Sequence, residues 1–304
     1  MKAWVKKNTY GTAHWQRQEQ PTPTPKHGWA LIRVRAVDIT HSECVGEVVH
    51  AGGLNLPVGA RIAALRVGLV EPCVDIYAEY ALIPHAHLFQ LNSRLPWDLL
   101  AALPALVRNA HGALQVGLAI ADAESLLIRG GTSTVGLIVL ALAKATGLRV
   151  GATTRTSAQI TNLIHAGADE VWIDNGQVAP QVAASIFKPY DRVLELIGTR
   201  TLVDSLSCVG SGGLVCMMGT LGGSASLEHF NPRVDMPTSV KLTSYQDSAT
   251  DLTGPQLQAH VDLVTAARLS LPEARVFNFD DLEAAQRLSD LTSAGSSIVV
   301  LGPP

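Results

Sequence analysis

Gly131, Ser133 and Gly136 occupy the three positions of a G-x-G-x-x-G fingerprint, with serine in place of the middle glycine. The first glycine of such a turn permits a tight reversal, the middle one lets backbone approach a pyrophosphate, and the third lets the following helix pack on the preceding strand. Ser133 adds a Cβ and a hydroxyl at the point of closest approach. That either holds phosphates further away or replaces a backbone contact with a hydroxyl hydrogen bond. In both cases the helix N-terminus offers free N–H groups and a positive dipole end to an anion. Gly131, Thr132, Ser133, Thr134 and Val135 are therefore candidate phosphate contacts.

A second group of residues bears on which anion is bound. About twenty residues past the glycines, an NAD site carries Asp or Glu to hold the ribose 2′-hydroxyl. Here the chain reads Ala152, Thr153, Thr154, Arg155, Thr156, Ser157, and no carboxylate follows until Asp169. A guanidinium flanked by hydroxyls suits a 2′-phosphate, because its planar fork matches phosphate oxygens. The alternative is that Arg155 is a solvated charge at a strand end. The expected cofactor is NADP(H).

These residues need particular elements to position them. Leu126 to Ile128 is an apolar strand, Val135 to Ala145 an apolar helix that Gly147 stops, and Leu148 to Thr154 a second strand. Downstream, helices at Ala158–Ala166, Val178–Phe187 and Leu202–Val209 alternate with strands at Glu170–Ile173, Asp191–Ile197 and Leu214–Met218, which predicts a parallel sheet covered on both faces. Ligands bind such sheets at the carboxyl ends of the strands. That selects Ile197, Gly198 and Thr199 after one strand and Met218, Gly219 and Thr220 after another.

Before this region the texture is different. Short β-rich segments (Ala3–Val5, Leu31–Ala36, Gly46–Val49, Arg61–Leu65, Tyr77–Ile83) are separated by Pro- and Gly-rich stretches and predict a small antiparallel barrel. Helices are expected at Trp97–Ala102 and Leu106–Leu118. Near the end, helices at Gln256–Ala267 and Leu282–Leu291 precede a strand, Ile298–Leu301, that returns to the first domain. The division expected is 1–95 with 256–304, and 96–255.

Composition bounds the remaining classes. A chain of 304 residues, 47% hydrophobic and 16% charged, is globular and long enough for two cores. A net charge of −3 gives no general attraction for nucleic acid or anionic membrane. No stretch is apolar for long enough to span a bilayer, and MKAWVKKNTYG lacks a signal peptide's apolar core, so a cytoplasmic protein is expected. Cys44, Cys73, Cys208 and Cys216 are scattered and are read as reduced thiols. His41, Glu43 and Cys44 in THSEC, and His85 with His87 on one strand face, look like metal ligands, but neither group has the set and spacing that zinc needs. The reading is metal-free.

In this order, a barrel, a nucleotide-binding unit and a returning strand resemble the medium-chain dehydrogenase/reductase superfamily, in its zinc-independent quinone oxidoreductase branch. The segments that carry the resemblance are VGARIAAL at 58–65, YAEYALIP at 77–84, RGGTSTVG at 129–136, HAGADEVW at 165–172 and GGLVCMMGTLGG at 212–223. It implies an α/β protein made of a GroES-like barrel and a Rossmann domain, a homodimer, and NADPH-dependent hydride transfer to a quinone or enone. Carried over by position, Ser133, Thr134 and Val135 would lie by the pyrophosphate, Thr154 and Arg155 by the 2′-phosphate, and Ile197, Gly198, Met218, Gly219 and Thr220 beside the nicotinamide.

The chain departs from that pattern in three places. AVDITHSECVGEVV, 36–49, joins its flanking strands directly where similar proteins have a longer substrate-side segment, and only Thr40 and Glu43 match its polar positions. They are the candidates for substrate polarisation or proton relay. PALVRNAHG, 104–112, brings Arg108, Asn109 and His111 where an aromatic-rich helix start is common, with His111 either a proton donor or a packed histidine. Ser297 stands where a cofactor-contacting lysine is common. Two readings stay open: a small-molecule NADPH oxidoreductase, or a derived member without net redox activity, such as an isomerase, a cyclase or a cofactor-binding partner protein.

Overall fold

Buried and less buried side chains alternate over Ile32–Ala36 in the middle of Trp29–Asp38, the period of an extended strand with one face on a core, while both ends of the strand are buried on successive residues. The computed structural model describes residues 1–9, 12–65, 76–187, 189–223, 226–246, 252–266, 269, 271, 273–291 and 296–302. Cys73 lies outside them. In chain order the strands are β1 (Lys2–Thr9), β2 (Thr12–Glu19), β3 (Trp29–Asp38), β4 (Glu43–His50), β5 (Arg61–Ala64), β6 (Tyr80–Pro84) and β7 (Leu88–Leu91). Helix α1 (Trp97–Gly112) follows, then β8 (Ser125–Arg129), α2 (Thr134–Ala145), β9 (Arg149–Thr154), α3 (Ile160–His165), β10 (Glu170–Ile173), α4 (Ala179–Ala183) and β11 (Tyr190–Glu195). The rest are α5 (Thr199–Leu206), β12 (Val209–Met217), α6 (Pro232–Asp235), β13 (Lys241–Ser244), α7 (Gly254–Thr265), β14 (Arg275–Asn278), α8 (Leu282–Leu291) and β15 (Ser297–Val300).

Two compact units divide the chain. The first holds Met1–Ala105, Thr253–Ala267 and Leu271–Pro304; the second holds Leu106–Leu252 and Arg268–Ser270. In the first, the sheet runs β14-β15-β3-β4-β5-β7, with β6 also on β3. Strand β3 gives residues 29–33 to β6 and 36–38 to β15, while β4 pairs along most of its length. The inward residues Ile32, Val34, Ile62, Ile83 and Val299 form its core with Leu282 of α8.

In the second unit six parallel strands lie in the order β10-β9-β8-β11-β12-β13. This is the 3-2-1-4-5-6 order of a doubly wound dinucleotide fold, whose strand order reverses between β8 and β11. Leu126, Leu127 and Ile128 have no exposed surface, as a central strand covered on both faces requires.

Some expectations are corrected. Trp97–Gly112 is one helix through Pro104, followed by a π-helical turn at Ala113–Gly117, rather than two helices. Burial of Leu100, Leu103, Leu106 and Val107 offsets the backbone donor that Pro104 lacks. His85 and His87 lie in a 3₁₀ turn and share no strand face; His85 Nε2 lies 3.0 Å from the Ala51 carbonyl. β2, β7, β13 and β14 lie outside the expected strands; β7, β13 and β14 are four residues each, too short for periodicity to mark them.

Candidate functional site

The strand order reverses between β8 and β11; β8, β9 and β11 end in Arg129, Thr154 and Glu195, and Asp174 directly follows β10. At the end of β8 the chain turns through Gly130, whose φ of +89° favours a residue without a Cβ. Gly130, which the fingerprint does not count, is therefore the residue that takes the left-handed reversal. Its carbonyl accepts from Ser133 N–H at 3.0 Å, and Gly131 N–H donates to the Thr153 carbonyl of β9 at 3.1 Å. A Cβ on Gly131 would come within 2.8 Å of Ala152 Cβ, and one on Gly136 within 2.6 Å of the Gly130 carbonyl. Both glycines are thus required by packing.

Ser133 resolves the choice posed by its place in the fingerprint. It is the N-cap of α2, and its Oγ accepts from Gly136 N–H at 3.1 Å. Its carbonyl accepts from Leu137 N–H. Because the hydroxyl is an acceptor in the cap, its own proton is available to an anion. Thr134 and Val135, at the first helical positions, have no intrahelical acceptor for their N–H groups.

β9 ends on Thr154, and the exposed Arg155 follows. Thr154 is 4% exposed, and its hydroxyl both donates to the Thr156 carbonyl and accepts from Thr156 N–H. That pairing turns Thr154 to a local role and leaves Arg155 as the group suited to a 2′-phosphate. The nearest strand-end carboxylate, Asp174 after β10, is held by Arg129: Nε to Oδ2 at 2.9 Å and Nη2 to Oδ1 at 3.0 Å.

Arg129 has no exposed surface and extends this contact into a network. Its Nη1 also reaches Asp204, Ser205 Oγ and the Thr201 carbonyl on α5. Ser205 and Thr201 donate their hydroxyls to Glu195 Oε2 at the end of β11, while Glu195 Oε1 accepts from Ile197 N–H at 2.7 Å and Gly198 N–H at 2.9 Å. On the other side Thr153 Oγ1 accepts from Gly130 N–H and donates to Asp174 Oδ2. A continuous chain of hydrogen bonds therefore joins the glycine turn to the backbone of Ile197 and Gly198. Burial pushes the Asp174 carboxyl up, but Arg129, Gly176 N–H and Thr153 outweigh it and hold it below the ordinary carboxylate range. Glu195 is raised by its burial despite the hydrogen bonds from Ser205, Gly198 and Ile197 and the charge of Arg129.

The loops after β11 and β12 are laced together. Met218 and Gly219 N–H both donate to the Glu195 carbonyl, Leu221 N–H to Leu196 and Gly222 N–H to Ile197. A Cβ on Gly219 would lie 2.2 Å from the Leu196 carbonyl, so only glycine fits. Ile197, Gly198, Met218, Gly219 and Thr220 are thus gathered at one edge of the second unit, with Thr220 exposed. Sequence reasoning missed Arg129, Asp174, Glu195 and Thr153. The available signal was an ionisable residue closing an apolar strand, LLIR and VLE.

In the first unit β3 and β4 form a direct hairpin with Asp38 opposite Glu43. Glu43 is 1% exposed. Thr40 is exposed, and its Oγ1 accepts from Ser297 N–H at 3.1 Å. Ser297 is itself buried at the start of β15. His41 Nδ1 lies 2.8 Å from Oδ2 of the fully buried Asp38. Burial pushes the Cys44 thiol up to about 12, with Glu43 adding to it, so Cys44 is a protonated core residue. Arg108 is fully buried on α1 and His111 partly so. Among the described residues no group of three or more His, Cys, Asp or Glu is placed to hold a metal ion.

The fold and this arrangement define a dinucleotide-fold oxidoreductase with an attached barrel. The sequence model of the family described as zinc-binding dehydrogenase matches residues 134–252. The quinone oxidoreductase of Pongo abelii is 30% identical over 241 residues, 70% of each chain. Among solved structures, AibC superposes with a TM-score of 0.80 at 23% identity over all of both chains. The Escherichia coli quinone oxidoreductase complexed with NADPH gives 0.74 at 18% identity over 98% of this chain and 99% of that one. The chain belongs to the medium-chain dehydrogenase/reductase superfamily, among its quinone oxidoreductase-like members.

Proposed function

We propose that this oxidoreductase uses NADPH to reduce conjugated carbonyl compounds such as quinones and enones, without zinc, as a cytoplasmic homodimer. One observation carries the cofactor choice. β9 delivers Arg155 in place of an acid, and the neighbouring carboxylate, Asp174, is committed to buried Arg129. No side chain of that group is left to accept a ribose 2′-hydroxyl in the manner of an NAD site.

The residues present fit a dinucleotide. Gly131 and Gly136 keep the turn thin, Ser133 caps α2 with its hydroxyl proton still available, and the amides of Thr134 and Val135 point along the helix axis toward an anion. Arg155 would take the 2′-phosphate. Ile197, Gly198, Met218, Gly219 and Thr220 would flank the nicotinamide, their backbone held by Glu195. When bound, the reduced nicotinamide supplies a hydride equivalent to an electrophilic carbon. The chain's own part is to fix that geometry and keep water out. Thr40 and Glu43 are retained as the candidates for polarising substrate or relaying a proton; Thr40 is exposed, and its hydroxyl accepts from Ser297 N–H and lies 3.5 Å from Ser289 Oγ. Water can provide the proton that completes the product.

The short turn between β3 and β4 favours a second reading, a family member without net redox chemistry. NADPH oxidation measured with a panel of quinones and enones separates the two; tight NADPH binding with no turnover on any acceptor would overturn the first. Arg155→Ala is expected to weaken NADPH by about 1.5–3 kcal/mol, roughly ten- to a hundredfold, and to leave NADH unchanged. A retained NADPH preference would refute the phosphate assignment.

A further inference from the structure

A concavity of about 580 Å³ lies entirely within the first unit, on the outward face of β3, and contains none of the residues assigned above. Strand alternation puts Arg33 and Arg35 on that outward face, two residues apart. Lys2 of β1 and Arg17 of β2 close round them. Four cations meet two acids, Glu79 and Asp280, in the lining, whereas the chain as a whole carries −3. With Glu47, which pairs with Arg35, the face still carries four cations against three acids, and that excess favours an anion.

The three guanidinium groups are oriented in advance. Arg33 Nη2 donates to Tyr80 Oη at 2.9 Å, with the guanidinium 5.5 Å from the ring centre. Arg35 uses Nε and Nη2 on Glu47 Oε2, at 3.1 and 2.8 Å. Arg17 is paired with Asp280 through Nη1. A guanidinium has five N–H donors, and these contacts use one or two of each. The Lys2 ammonium meets no acceptor among the described residues; the hydrogen bond to Glu79 comes from its backbone N–H. Nη1 of Arg35 lies beside Gly302, where an added Cβ would stand in van der Waals contact at 3.7 Å, and makes no hydrogen bond to Glu47.

We propose that this concavity is a binding site for a small polyanion carrying phosphate groups, separate from the dinucleotide site. Several convergent, pre-oriented guanidinium forks suit the oxygens of a phosphate ester or polyphosphate better than a single carboxylate. A compact basic patch on a net acidic chain does not suit nucleic acid, which needs an extended basic track.

The test is calorimetric titration of the full chain with sodium pyrophosphate, for wild type, Arg33→Gln/Arg35→Gln, Lys2→Gln/Arg17→Gln and Arg155→Ala. The expected result is saturable binding that falls roughly tenfold or more in each of the first two variants and is unchanged in Arg155→Ala and by saturating NADPH. The Lys2/Arg17 pair tests the same site from a different hairpin if the β3 variant melts at a lower temperature. Equal affinity in both cavity variants would overturn the proposal. So would loss confined to Arg155→Ala, or no saturable binding to wild type at about 0.15 M salt, where loose counterion attraction is screened.

Discussion

Ser133 replaces the fingerprint's middle glycine with a residue that serves two acceptor and donor roles at once. Its Oγ caps α2 through Gly136 N–H, and under the proposed function its proton would serve an anion on the helix end. Ser133→Ala removes both, so stability should fall by about 0.5–2 kcal/mol from the lost cap, and NADPH affinity should fall further than the lower stability of the ligand-free chain explains. Ser133→Gly separates the two effects, because glycine is a tolerated cap that costs only a few tenths of a kcal/mol and restores the backbone approach. Denaturant unfolding beside NADPH titration reads both; equal affinity in wild type and Ser133→Ala would show that the hydroxyl touches no phosphate. The serine was legible in the sequence as an unusual phosphate neighbour. Its role as a cap was not, because a cap is defined by where the helix begins, and that boundary is set by the turn at Gly130.

Four strand ends are tied to one another by Arg129, and the consequences belong to the elements rather than to any one contact. Arg129→Met leaves Asp174, Asp204 and Glu195 buried without their cation, and loss of one partner of a buried ion pair costs about 3–5 kcal/mol. The two carboxyls respond to pH in opposite directions. Asp174 is held below its ordinary value, so its contribution is complete above that value and is lost as pH falls through the lower, folded one. Glu195 is raised, so the native state keeps its proton longer and loses stability as pH climbs from the ordinary glutamate value to the raised one. Unfolding curves of Asp174→Asn should therefore converge on wild type in acid, whereas Glu195→Gln should lack the loss on the rising side. Parallel curves for either variant would contradict the assignment. The sequence made the βαβ alternation plain, and Glu170–Ile173 agrees with the structure residue for residue, because hydrophobic periodicity is local information. The network was hidden, since Arg129, Asp174 and Glu195 are brought together by strand order, which periodicity does not encode.

At the scale of the whole chain, two units with separate cores bring a different expectation: a ligand that touches one unit stabilises that unit first. The residues proposed to hold the cofactor, from Gly131 to Thr220, all fall in the second unit, 106–252, whereas the polyanion cavity falls wholly in the first. A ligand at a hundred times its dissociation constant adds about 2.7 kcal/mol to the state that binds it. Scanning calorimetry of the full chain should then show NADPH moving the unfolding of the second unit upward, and Arg155→Ala should reduce that shift to the size NADH gives. Pyrophosphate should act on the first unit's transition and lose its effect in Arg33→Gln/Arg35→Gln. If the chain unfolds in one transition, both ligands should raise it by independent, additive amounts, since the two sets of residues share no member. A pyrophosphate shift that disappears once NADPH is bound would instead place both anions at the glycine turn, and the basic face of β3 would be left without a ligand.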